Sequence, residues 1–191
     1  MATTTLTRPQ EALSLVGTKW QLDAAHTSAE FAVKHMMITT VRGRFTSVEG
    51  TLYIDENHPT DPELEIMIDA GSLDTREAKR DAHLKSADFF DVEHHPTITF
   101  KAHHIDGDPT GNFKLHGDLT IRGITRRIVL NARFEGHNRD PWGGERLGFS
   151  ATAKINRHDF DLRWNVALEA GGFLVGDDVK ITIDAQFVRA A

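Results

Sequence analysis

The residue type that most invites a chemical reading is histidine. The chain has eleven, with adjacent pairs at His94-His95 and His103-His104. Neutral imidazole is a common metal ligand. Neighbouring residues on a strand project to opposite faces, however, so neither pair is expected to close on one ion. No HExxH spacing occurs, and these four read as surface or turn histidines with no metal expected. His35 differs, because two-residue spacing puts it on the strand face of Phe31 and Val33. An imidazole there either satisfies a polar partner in the core or hydrogen-bonds a carbonyl-bearing guest. Arg80, Asp81 and His83 form a second charged group inside a helix-forming run. A guanidinium at Arg80 can grip a phosphate bidentately or serve an ordinary ion pair. Arg42, Arg44, Arg126 and Arg127, taken singly, read as solvated strand positions.

Several chemistries are not indicated. The chain has no cysteine, which excludes disulfides, thiolate metal sites and cysteine nucleophiles. It has no GxSxG, GxGxxG or GxxxxGK[ST], and nothing marks a paired acid and base among its carboxylates. No catalytic residue or cofactor is therefore assigned. The net charge of −6 lacks the basic excess of a dedicated nucleic-acid surface. The opening MATTTLTRPQEALSLVG does not read as a basic start followed by an apolar run, and no stretch of 18 apolar residues occurs. The expectation is a cytoplasmic chain without a membrane-crossing helix.

The elements that must position these residues are strands. From Trp20 onward the dominant period is two, as in half-buried strands. Phe31 and Val33 alternate with Glu30, Ala32 and Lys34, and Ile98 and Phe100 with Thr97, Thr99 and Lys101. Val179, Ile181, Ile183, Ala185 and Phe187 alternate with Lys180, Thr182, Asp184 and Gln186. A long strand is expected from Thr39 to Ile54, with Val41, Gly43 and Phe45 on its inner parity. Turn signals such as Asn57-His58-Pro59, Asp108-Pro109, Arg122-Gly123 and Asp140-Pro141 separate the runs. The pattern predicts eight or nine antiparallel strands in one all-β domain over residues 18–191, preceded by a loose arm over 1–17 with a short helical turn through Glu11–Leu15. SLDTREAKRDAHLKS breaks the period and predicts a helix over Thr75–Lys85, capped by Ser72 or Asp74, followed by a loop carrying Phe89 and Phe90.

The inner parity holds many small residues, among them Gly43, Ala102, Gly117, Ala132, Ala151 and Ala185. An eight-stranded barrel is just wide enough to be filled by side chains or to hold one small guest. Small inward residues either leave room for an apolar guest or mark places where strands approach closely.

Five blocks in order carry a resemblance: DAAHTSAEFAVKH, VRGRF, SLDTREAKRDAHLKSADFFDVEHHPTITFKA, GDLTIRGITRRIVL and GFSATAKINRHDF. Together, from Trp20 to Phe187, they resemble the YceI-like family of polyisoprenoid-binding, lipocalin-like proteins. Asp23, His26 and Thr27 match the opening motif; Arg80, Asp81, His83 and Leu84 the helix motif; Asn156, Arg157, Asp159 and Phe160 the late motif. Asp161 departs from the glycine usual after that phenylalanine, and Arg122 from the histidine common before Gly123.

The resemblance implies an eight-stranded antiparallel lipocalin-like barrel with a short helical insertion. It implies an interior pore for a polyprenyl phosphate, an isoprenoid quinone or another long lipid, and a periplasmic location as the alternative. The expected ligand-binding residues are Phe31, Val33, Val41, Phe45, Phe89, Phe90, Phe100, Phe149 and Ile183 along the tail. His35, Met37 and Trp164 are expected at its margins, and Arg80, Asp81 and His83 near a head group. The alternatives are a packed structural or stress-response barrel without ligand, and an accessory enzyme using His35, or His83 with Asp81. A homodimer stays open.

Overall fold

The computed structural model describes residues 17–55, 57–169 and 171–190. The arm over 1–16, with the expected turn at Glu11–Leu15, lies outside the described residues. The strands are β1 (Thr18–Leu22), β2 (Ser28–His35), β3 (Thr39–Phe45), β4 (Val48–Ile54), β5 (Glu63–Asp69), β6 (Leu73–Asp74), β7 (Thr97–Gly107), β8 (Asn112–Ile121), β9 (Ile124–Arg139), β10 (Glu145–Asn156) and β11 (Val175–Arg189). One α-helix, α1, spans Ala78–Lys85.

All neighbouring strands are antiparallel, and they occupy eight positions around a closed barrel. Two positions are shared by a pair of short strands. β1 and β2 follow one another across a 3₁₀ turn at Ala24–His26, and β11 pairs with β2 along one half and with β1 along the other. β3 and β4 likewise form one bent position, pairing with β2 and β1 respectively. The single strand expected from Thr39 to Ile54 is thus broken at Thr46 and Ser47. The reason is local: the Ser72 hydroxyl accepts from both Thr46 N and Ser47 N at 3.1 Å, so these amides leave the ladder.

At one end β3 pairs on its far side only with the two residues of β6. Helix α1 and the loop after it pack there. Phe45 stands 5.6 Å from Phe31 and meets Phe90 edge-on at 5.9 Å, which fastens the loop to the barrel. The helix is shorter than expected, and neither Ser72 nor Asp74 caps it. Ser72 is held by the strand break, and Asp74 accepts from Arg76 N at 2.8 Å and from Arg44. The Glu77 carboxylate caps it instead, accepting from Lys79 N at 3.2 Å and Arg80 N at 2.6 Å.

Two family departures keep the backbone that glycine favours. Asp161 is left-handed at φ 58°, a conformation aspartate tolerates better than most residues. Arg122 and Gly123, at φ 51° and 71°, form the two-residue turn between β8 and β9. Arg122 then reaches the carbonyls of Phe89 at 3.1 Å and Asp161 at 3.3 Å, joining the loop after α1 to the turn after β10.

Candidate functional site

The inward faces of the strands surround a cavity of about 460 Å³. That is within the range of about 300–1,000 Å³ typical of small-molecule sites. It runs from Pro59, Pro62 and Pro109, in turns at one end, to Val33, Arg157 and Val175 at the other. Its walls follow the period-two pattern: Val179, Ile181, Ile183, Ala185 and Phe187 of β11 all face it. Polar side chains on the wall are few, namely Thr27, Glu30, Thr110, Ser150 and Arg157.

Small residues explain this space only in part. A Cβ on Gly43 would collide with the Phe31 ring, and one on Gly117 with the Phe100 ring. The glycines are therefore berths for aromatic rings, and the volume that seemed free in the sequence is occupied there. The room lies elsewhere along the barrel, where Ala132, Ala151 and Ala185 line the cavity.

Of the residues expected to hold a ligand tail, Phe31, Val33, Phe45, Phe89, Phe90, Phe100, Phe149 and Ile183 converge on the cavity wall. Val41, His35 and Met37 are not among its lining residues. His35 ends β2 opposite Thr39 and Val175, while Met37 is 65% exposed in the following hairpin. Trp164 sits behind the wall, 5.4 Å from Phe89 and edge-on to His83 at 4.6 Å.

The expected head-group residues have other partners. Arg80 donates from Nε to Thr75 Oγ1 at 2.7 Å and from a terminal nitrogen to Thr75 O at 2.8 Å. Asp81 accepts from Thr75 N at 3.0 Å and from the Thr75 hydroxyl. The two side chains together hold the residue that leads into α1, and neither Arg80 nor Asp81 is among the residues that line the cavity. His83 bonds Asp88 at 2.8 Å, not Asp81, and is also outside the cavity lining.

The paired histidines face outward for a reason the simple strand rule misses. A β-bulge between Ala102 and His104 leaves both His103 and His104 exposed. They bond different carboxylates, Asp118 at 2.8 Å and Asp61 at 3.0 Å. His94 bonds Asp91 at 2.9 Å in the loop before β7. Among the described residues no three His, Cys, Asp or Glu groups gather as a metal site. No helix among them is long and apolar enough to cross a membrane.

The residue whose role the sequence understated is Arg157, only 3% exposed. Its guanidinium donates to the carbonyls of Gly176 and Trp164, both at 3.0 Å, and to that of Leu162. Burial pushes its pKa down, opposed by Asp177 at 3.4 Å. It acts as a bracket for the segment between the last two strands and, among the described residues, contributes the one cationic group on the cavity wall. Its place in the NRHDF block was the available signal, but a buried arginine cannot be told from an exposed one by spacing.

This geometry is an apolar cavity inside a closed barrel with a short helix packed at one end. Residues 20–187 match the sequence profile of the YceI-like domain. The chain belongs to the YceI-like family. A UPF0312 protein of Vibrio parahaemolyticus is 38% identical over 72% of this chain and 73% of its own length. The Campylobacter jejuni YceI protein superposes with a TM-score of 0.70 at 28% identity, covering 83% of this chain and 90% of that one. A polyisoprenoid binding domain from Saccharophagus degradans superposes with a TM-score of 0.69 at 15% identity, covering 90% and 98%. As a YceI-like protein, the chain has its family match spanning all eleven strands except the ends of the first and last.

Proposed function

We propose that this YceI-like barrel binds one long apolar lipid of the polyisoprenoid class, such as a polyprenyl phosphate or an isoprenoid quinone. It carries or buffers that lipid and does no chemistry on it. The observation that carries this reading is the 460 Å³ cavity with its almost wholly apolar wall. Burying a chain there is worth roughly 0.8 kcal/mol per CH₂. The name of the Saccharophagus degradans domain points to the same class of ligand.

A binding role also suits the side chains present. The charged groups on the wall are Glu30 and Arg157, and the guanidinium of Arg157 is already engaged by three carbonyls. His35 and His83 lie outside the wall, so neither faces a guest lying along the barrel. Discrimination then rests on chain length and girth, with little contribution from the head.

The test is mass spectrometry of an organic-solvent extract of the purified protein beside a protein-free blank. A stoichiometric isoprenoid is the expected result. A stoichiometric acyl lipid would move the ligand class. A clean extract, followed by failure to take up a prenyl phosphate or a quinone, would overturn the proposal.

A further inference from the structure

The rim formed by the β2–β3 hairpin and the segment beside it gathers five of the eight large apolar residues exposed among the described residues, Met36, Met37, Ile38, Val166 and Phe173. Its tip is Met36, Met37 and Ile38, exposed to 40%, 65% and 75%. Met36 and Met37 are both left-handed, at φ 51° and 61°. Such a turn favours Asn-Gly, and bulky residues adopt it only against a backbone penalty. Here two methionines adopt it while leaving their side chains out of the core. Packing does not account for their presence.

A second segment brings more apolar surface to the same rim. Met36 N donates to Leu174 O at 2.8 Å, and Leu174 N donates to Val166 O at 2.9 Å. The neighbouring Phe173 and Val166 are exposed large apolar residues. Scattered apolar residues need no explanation, but a cluster on one rim marks an interaction surface. The rim is also continuous with the cavity, since Val33 and Val175 line it and Val175 pairs with His35, the residue before the tip.

Behind the tip lies a basic belt. From Phe31 to Val48 the sequence has no acidic residue. Lys34, Arg42 and Lys180 are exposed, and Ala32 is flanked across the sheet by Arg42 on one side and Lys180 on the other. Of the nearby carboxylates, Asp177 pairs with Arg157 and His158 and Asp178 with Lys154, while Glu30 lies farther from the tip, opposite Arg44.

We propose that this rim docks on an anionic bilayer, with Met36, Met37, Ile38 and Phe173 entering the interface and Lys34, Arg42 and Lys180 lying against the head groups. An apolar tip ringed by cations is the pattern of interfacial membrane binding. The proposal rests on the carrier reading for its purpose: a long isoprenoid has almost no presence in water, so its transfer requires the barrel mouth to touch the bilayer.

The experiment is co-sedimentation of the full chain with phosphatidylcholine vesicles, with and without phosphatidylglycerol, at low and high salt. The wild type is expected to pellet with the anionic vesicles and to be released by salt. The double substitution Met36→Asn, Met37→Gly suits the left-handed turn, so the fold is retained, and it is expected to lower partitioning about tenfold or more. Lys34→Gln with Arg42→Gln is expected to remove the preference for phosphatidylglycerol. Equal binding by the hairpin variant, or no binding by the wild type, overturns the proposal. So does a dimer in analytical ultracentrifugation that the variant dissolves without any vesicle binding. Lipid content of the same preparations separates the two readings: a wild type that pellets with vesicles but never holds an isoprenoid supports docking and sinks the carrier role.

Discussion

Arg146 donates to the Asp23 carboxylate across 2.6 Å, joining the turn after β1 to the β9–β10 hairpin 123 residues later. The same guanidinium reaches Asp140 at 2.8 Å, and Asp23 also accepts from Gln186 and bonds His26. Three strand positions at the barrel closure are tied through one carboxylate.

That carboxylate gives the first prediction. Burial pushes the Asp23 pKa up, but the hydrogen bonds from His26 and Arg146 outweigh it and hold the value at about 2, against 3.8 for an ordinary aspartate. A lowered folded pKa contributes stability that is fully present above the unfolded value and is lost as pH falls toward the folded one. Stability is therefore expected to decline between pH 3.8 and about 2, and Asp23→Asn to flatten that part of the profile. Urea denaturation at a series of acidic pH values measures it.

Gly117 is expected to tolerate no side chain while Phe100 remains. Gly117→Ala should destabilise by roughly 1–3 kcal/mol through overpacking. Gly117→Ala and Phe100→Leu should couple favourably, because trimming the ring relieves its contact with the new Cβ, although the Lys101 carbonyl, 2.6 Å from that Cβ, must still shift. Losses that simply add across the two single variants would contradict the berth. Chemical denaturation of the four-member cycle decides it.

Arg157→Met keeps an unbranched apolar stem and removes the donors to Leu162, Trp164 and Gly176. Leaving these carbonyls without partners is expected to cost about 3 kcal/mol or more. Hydrogen exchange should quicken in residues 161–169 before it does in β10 and β11. An unchanged exchange pattern would mean that the segment is held by its apolar contacts alone.

Ala151 lines the cavity and pairs with Ala132 on β9 and Ile183 on β11. Ala151→Phe should place a ring in the open volume, lower uptake of a fluorescent prenyl analogue at least about tenfold, and leave thermal stability within about 1 kcal/mol of the parent. Retained uptake would place the guest in another part of the barrel.

The sequence by itself determined the strand pattern, because a period of two has one physical meaning wherever one face is dry. It determined the family as well, since five ordered blocks spanned the domain, and it named eight of the residues that line the cavity. It did not determine which of its charged residues would face the guest. Arg80 and Arg157 look equally available in the chain. Only the folded backbone presents Thr75 to the first and three carbonyls to the second. Nor could it tell an empty inward position from a filled one. Gly117 and Ala151 are both small and inward, yet the Phe100 ring covers the first while open volume lies beside the second. That difference depends on which side chain comes across from a neighbouring strand. Register and curvature of the closed barrel set that choice, and both are properties of distant segments brought together.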